Sequence, residues 1–151
     1  MRKLISEIFK DIEPHDAEDK MMILQENNSL ALRQLIIAAL DPAVQFEVEI
    51  PEFKDNTEVD GYASNSLLVE YKRLYIFMKQ SVVSQKRRKE ILAQILESID
   101  PSDAQFLVKV LKKDLSEYGM TVEIANQAFP GLIKNVQPTL VAKKKLNGKT
   151  S

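Results

Sequence analysis

Cysteine is absent from these 151 residues, and histidine occurs once. Without cysteine there are no disulfides and no thiolate chemistry, and a reducing compartment is the expectation. A single histidine, His15, excludes the usual zinc sites and leaves little for a Ser-His or Cys-His nucleophile. His15 stands between Pro14 and Asp16 in an expected inter-helix turn, where a solvated side chain is the ordinary outcome. Glycine occurs four times, so neither a P-loop nor a G-x-G-x-x-G fingerprint can be assembled. No apolar run approaches the roughly 18 residues that a membrane span needs, and no signal peptide opens the chain. The expectation is a cytoplasmic protein with no cofactor, no metal site and no membrane partner.

What is present is ordinary for one globular domain: 44% hydrophobic and 28% charged residues in a length that can bury a core. The net charge of −1 hides an asymmetry. Residues 1–70 hold 15 Asp/Glu against 6 Lys/Arg, whereas residues 71–151 hold 15 Lys/Arg against 7 Asp/Glu. That split suggests an acidic face and a basic face, the basic one suited to a polyanion. Two solvated surfaces that attract each other would give the same count.

Apolar spacing is helical through most of the chain. Leu4, Ile5, Ile8, Phe9 and Ile12 share a stripe of 3.6-residue period, which Pro14 stops. "DAEDKMMILQEN" predicts a second helix, acidic in its first turn as the macrodipole prefers. Asn28 or Ser29 caps a third, with Leu32, Leu35, Ile36, Ala39 and Leu40 inward and Asp41-Pro42 at its end. "VQFEVEIPEF" then alternates apolar and acidic residues with period two, an extended segment ending near Pro51. Glu47 and Glu49 on that alternation read as a solvated face. A polar loop around Gly61 follows.

Helix resumes in "NSLLVEYKRLYIFMKQ", with Leu67, Leu68, Tyr71, Leu74, Tyr75 and Met78 on one face. It continues in "SQKRRKEILAQILESI", burying Ile91, Leu92, Ile95, Leu96 and Ile99. Asp100-Pro101 starts a helix through Leu115, with Phe106, Leu107, Val110 and Leu111 inward. Met21, Met22 and Met78 are expected in the core. The predicted fold is all-α, with one short extended or hairpin-like excursion near residues 43–64. The domain spans residues 1–135, and a flexible basic tail spans 136–151.

Two features point to a nucleic-acid backbone. Lys86, Arg87, Arg88 and Lys89 lie near a helix start, where each close positive charge opposes the macrodipole by roughly 0.3–1 kcal/mol. An anion would neutralise them; a solvated turn or a longer helix would also accommodate them. The second is "DLSEYGMTVEIANQAFPGLI", residues 114–133. Lys109, Lys112 and Lys113 precede it at i, i+3 and i+4, on one expected helix face. Gly119 can close that helix in a left-handed conformation. Thr121 caps the next, leaving backbone N–H groups for a phosphate. A plain helix–turn–helix corner has the same pattern.

The same stretch resembles the end of the N-terminal DNA-binding domain of T-even-phage-type ATP-dependent DNA ligases. The shared order is Asp114-Leu115, Gly119, a hydroxyl at Thr121, Ile124-Ala125-Asn126 and Pro130-Gly131-Leu132-Ile133. The likeness covers roughly residues 1–140, most strongly 105–133. The chain is also similar to small uncharacterised proteins of T4-type phages, which share "YKRLYIF", "ILESIDPSDAQFL" and the Phe-Pro-Gly-Leu ending. The ligase resemblance implies an all-α module that grips duplex DNA, with Lys113, Gly119, Thr121 and Asn126 facing the duplex.

"DLSEYG" is one residue longer than the ligase version. The adenylation motif Lys-x-Asp-Gly is missing too; only Lys145-Leu-Asn-Gly148 comes near it, with Asn for Asp. The leading expectation is therefore a non-catalytic, sequence-independent duplex-DNA-binding module, phage-encoded and working in the host cytoplasm. Its DNA would be nicked or intact, and a phage replication or repair protein is a further expected partner. The alternatives are a split ligase lacking its adenylation domain and a protein-interaction module.

Overall fold

Side-chain caps set where the helices begin. Asp16 accepts from the Asp19 N–H to open α2 (Ala17–Glu26), and Ser29 accepts from the Leu32 N–H to open α3 (Leu30–Leu40). Ser66 opens α4 (Leu67–Glu70), Ser84 opens α5 (Gln85–Ser98), and Asp100, followed by Pro101, opens α6 (Pro101–Leu111). Thr121 opens α7 (Val122–Ala128). Each hydroxyl or carboxylate satisfies one of the backbone donors that a helix start leaves without a partner. In α1 (Ile5–Ile12), Glu7 instead reaches back to the Leu4 N–H at 2.9 Å. The structure, a computed structural model, describes residues 3–54 and 65–134. The Gly61 loop, Lys145–Gly148 and the 136–151 tail lie outside them.

The described residues are all-α, as the apolar periods predicted. α6 lies at the centre, packed against α1, α3 and α5, while α2 packs on α1 and α7. The predicted inward faces of α1, α3, α5 and α6 are the buried ones, apart from half-buried Leu4 and Leu40. Phe9, Phe106 and Tyr118 stack at the centre, with ring centroids 4.6–6.0 Å apart. No helix among the described residues is long and apolar enough to cross a membrane.

The extended excursion is present as a strap. Exposure alternates residue by residue from Ala43 to Ile50, with Phe46, Val48 and Ile50 packed against the core. Its pairing is one antiparallel bridge, Phe46 to Met78, flanked by Glu47 N–H to Phe77 C=O at 2.8 Å and Lys79 N–H to Gln45 C=O at 2.9 Å.

Three expectations need correction. The helix predicted over residues 65–80 is α-helical only in α4 and continues as a 3₁₀ helix over Tyr71–Phe77. At three residues per turn, Leu74, Ile76 and Phe77 turn inward and Tyr75 turns out, 65% exposed. α6 stops at Leu111, four residues before the expected end, because Lys113 adopts φ 57°. Met22 is half exposed instead of buried, on the outer side of α2.

Candidate functional site

Two stretches were expected to meet a phosphate. The first lies at the start of α5, which Ser84 caps, so its cations do sit in the opening turns, as expected. Three of the four are already engaged. Arg88 is 5% exposed and donates to the carbonyls of Ser81, Val83 and Glu47 at 2.6–2.8 Å. Its planar fork thereby ties α5 to the strap, which a single ammonium could not do. Lys89 pairs with Glu49 at 2.7 Å, and Arg87 with Glu90 at 3.3 Å. A basic residue of the second half, Lys89, thus meets a carboxylate of the acidic half, Glu49, whereas Arg88 meets Glu47 through its backbone carbonyl. Of the four, Lys86 alone has no side-chain partner among the described residues.

The second stretch is the corner around Gly119, and its lysines do not share a face. Lys113 N–H bonds Val110 C=O and Asp114 N–H bonds Lys109 C=O, at 2.9 and 3.0 Å, a paired closure with Lys113 in the left-handed position that glycine usually fills. The Lys113 side chain crosses to the end of α3 and donates to the carbonyls of Ala38 and Asp41 at 2.7 and 2.9 Å. A cation there suits the negative end of the α3 dipole. Burial holds the Lys113 pKa below the ordinary lysine value, with the Asp41 charge opposing it. Lys109 lies over the Tyr118 ring and bonds its hydroxyl at 3.1 Å and Glu117 at 2.8 Å. Burial opposes its charge, but those bonds outweigh it and raise its pKa.

Gly119 is left-handed, φ 68°, yet it closes the short 3₁₀ helix Ser116–Tyr118 and not α6. A Cβ there would meet Lys20 Cε at 3.0 Å. Lys20, 6% exposed, is itself held by the carbonyls of Ile12, Glu13 and His15 at the end of α1. Thr121 accepts from Ile124 N–H at 3.1 Å, and the helix that it caps is two turns long. Asn126 clasps the backbone of Ile133 at both its N–H and its C=O, 2.8 and 3.3 Å. Of this group, only Lys112 projects from the surface with no side-chain partner among the described residues.

An open apolar groove lies elsewhere. It has a volume of about 310 Å³ and runs between α3, the strap and the 3₁₀ helix Tyr71–Phe77. Leu30, Ile37, Val44, Phe46, Leu74 and Met78 line it, and Tyr71 and Tyr75 join them. Leu30 is 54% exposed. Phe46 also borders a second hollow shared with Pro42, Gln45, Leu111, Lys112 and Lys113. Sequence reasoning missed this surface because it assigned Tyr71, Tyr75 and Met78 to a helix core. The signal available was "YKRLY", aromatic and basic residues interleaved where a fully buried face would carry aliphatics.

Residues 9–117 match the model of a Family of unknown function (DUF6433). The match takes in α1 from Phe9, the strap, the groove and the start of α5, and it ends before Gly119, Thr121 and Asn126. No curated protein matches the sequence. The matched span is well over half of the molecule, and the chain belongs to that family.

Proposed function

We propose that the chain is a non-catalytic interaction module that recognises a protein partner through the groove between α3, the strap and the 3₁₀ helix. One observation carries this reading. Two of the exposed large apolar side chains, Leu30 and Tyr75, stand together there beside a concave apolar floor, whereas exposed Met22, Val69 and Val82 line no part of it. The cations expected to grip a phosphate are, by contrast, mostly engaged by carbonyls and carboxylates of the chain itself. A photoreactive phenylalanine analogue at position 75 tests it in the cells that hold the protein. A discrete protein adduct is expected from position 75, none from exposed Glu18, and loss of the adduct in Leu30→Asp. Equal labelling from positions 75 and 18, or none from 75, would remove the proposal.

Sequence-independent binding of duplex DNA is the second reading, favoured by Lys86 and Lys112, unpaired among the described residues, and by the ligase resemblance. Phosphate contacts from lysines position a backbone without specifying bases. Gel shifts on nicked and intact duplex across a salt series separate the two readings.

A further inference from the structure

The groove's rim carries a charge pattern that specifies its occupant further, on the footing of the interaction-module reading. Lys72 lines the groove itself. The Lys79 backbone is bonded to Gln45 on the strap, and Lys112 lies across Phe46 in the adjoining hollow. All three side chains are exposed and have no hydrogen bond or ion pair among the described residues. The neighbouring carboxylates do not neutralise them. Glu70 is buried and takes Asn65 and Arg73, Asp41 is buried and accepts from Ala43 N–H, and Asp114 accepts from Ser116. Glu47 follows Phe46 on an extended strap, so it occupies the exposed phase of the alternation.

We infer that the partner is an acidic amphipathic peptide segment: its apolar side chains seat against Leu30, Phe46 and Met78, and its carboxylates meet Lys72, Lys79 and Lys112. The balance of the lining favours this ligand over a nucleic acid: aliphatic Leu30, Ile37, Ala38, Val44, Leu74 and Met78 outnumber the aromatic Phe46, Tyr71 and Tyr75. Leu, Ile, Val and Met side chains offer dispersion contact to leucine-like groups, whereas nucleobases are held by stacking platforms along a basic track. At about 310 Å³ the groove is at the small end of ligand sites, room for a few side chains of one segment. An amphipathic helix laid into an apolar groove presents such anchors at i, i+3, i+4 and i+7. Rim lysines would steer its approach and reject a basic competitor.

Fluorescence anisotropy on the full chain tests this with synthetic probes. One peptide carries leucines at i, i+3, i+4 and i+7 with glutamates between; a second carries the same leucines with lysines between. Oligothymidine and a duplex complete the set. The acidic peptide should bind more tightly than the basic one by about tenfold, a preference that falls as salt rises. Lys72→Glu with Lys112→Glu should invert the preference, and Tyr75→Ala should weaken both peptides. All three positions are exposed, and thermal melting checks that the variants stay folded. Equal binding of both peptides, still weakened by Tyr75→Ala, would overturn the acidic specificity and leave the groove reading intact. No binding of either peptide would overturn both. Oligonucleotide binding stronger than either peptide, lost in the double lysine variant, would overturn the inference and give the face to nucleic acid.

Discussion

At the scale of single residues, this chain uses lysines where many proteins use glycine or a polar cap. Lys113 holds a left-handed backbone and at the same time satisfies two carbonyls at the end of α3. Lys113→Ala should lose those charge-assisted bonds and retain the backbone strain, costing about 2–4 kcal/mol. Lys113→Gly removes the same bonds but relieves the strain, so it should be less destabilising than alanine by about 1 kcal/mol. Chemical denaturation of both variants checks the order; a glycine variant no more stable than alanine would show that the left-handed turn stores no strain.

Asp103 gives a pH signature at the same scale. It is 2% exposed and accepts from the Ser6 N–H at 2.9 Å. Burial raises its pKa above 3.8, with the Ser6 bonds opposing. The folded state therefore holds this proton more tightly than the unfolded state. The stability that Asp103 contributes is fullest below 3.8 and is lost as pH rises through the raised value. In Asp103→Asn that loss should vanish, so the melting temperature of the variant should gain on the parent as pH climbs through this window.

Among the elements, the 3₁₀ helix and the strap make the groove. A seven-residue 3₁₀ helix is long for its kind, and its tighter turn decides which tyrosine is left outside. Leu74→Ala should cost about 2–4 kcal/mol, whereas Tyr75→Ala should stay within about 0.5. An α-helical phase through Tyr75 would make the two comparable. Arg88 is one fastening of the strap, through the Glu47 carbonyl, and it ties that point to Ser81 and Val83 ahead of α5. Arg88→Ala should cost about 3 kcal/mol or more, because three carbonyls lose a charged donor at once. Hydrogen exchange would then quicken at the Glu47 and Lys79 amides, which bridge the strap to the 3₁₀ segment, before it quickens in α6. Unchanged exchange there would mean that the strap stands without its arginine.

Across the whole molecule, the pairing of cations limits what a polyanion could reach. Among the described residues, Lys86 and Lys112 are the unpaired members of the set first expected to touch DNA. Any duplex binding through them should show a log–log salt slope near −2, at about −0.9 per phosphate. Lys112→Ala should flatten it, and Lys113→Ala should not; a slope of −4 or steeper would mean that the internal pairs open on DNA. The fold was legible in the sequence because its causes are local. Apolar residues at helical spacing, a Ser, Asp or Thr ahead of every α-helical run but the first, and period two over the strap each act within a few residues. The buried faces of α1, α3, α5 and α6 follow from them. What a lysine does at position 113, or an arginine at 88, was decided in the tertiary structure. A long cationic side chain takes whichever acceptors the packed chain leaves within reach, here carbonyls 75 and 41 residues away. The open groove has the same origin: the turn from α to 3₁₀ geometry, set by packing against α3 and the strap, took Tyr75 out of the core that its spacing had promised.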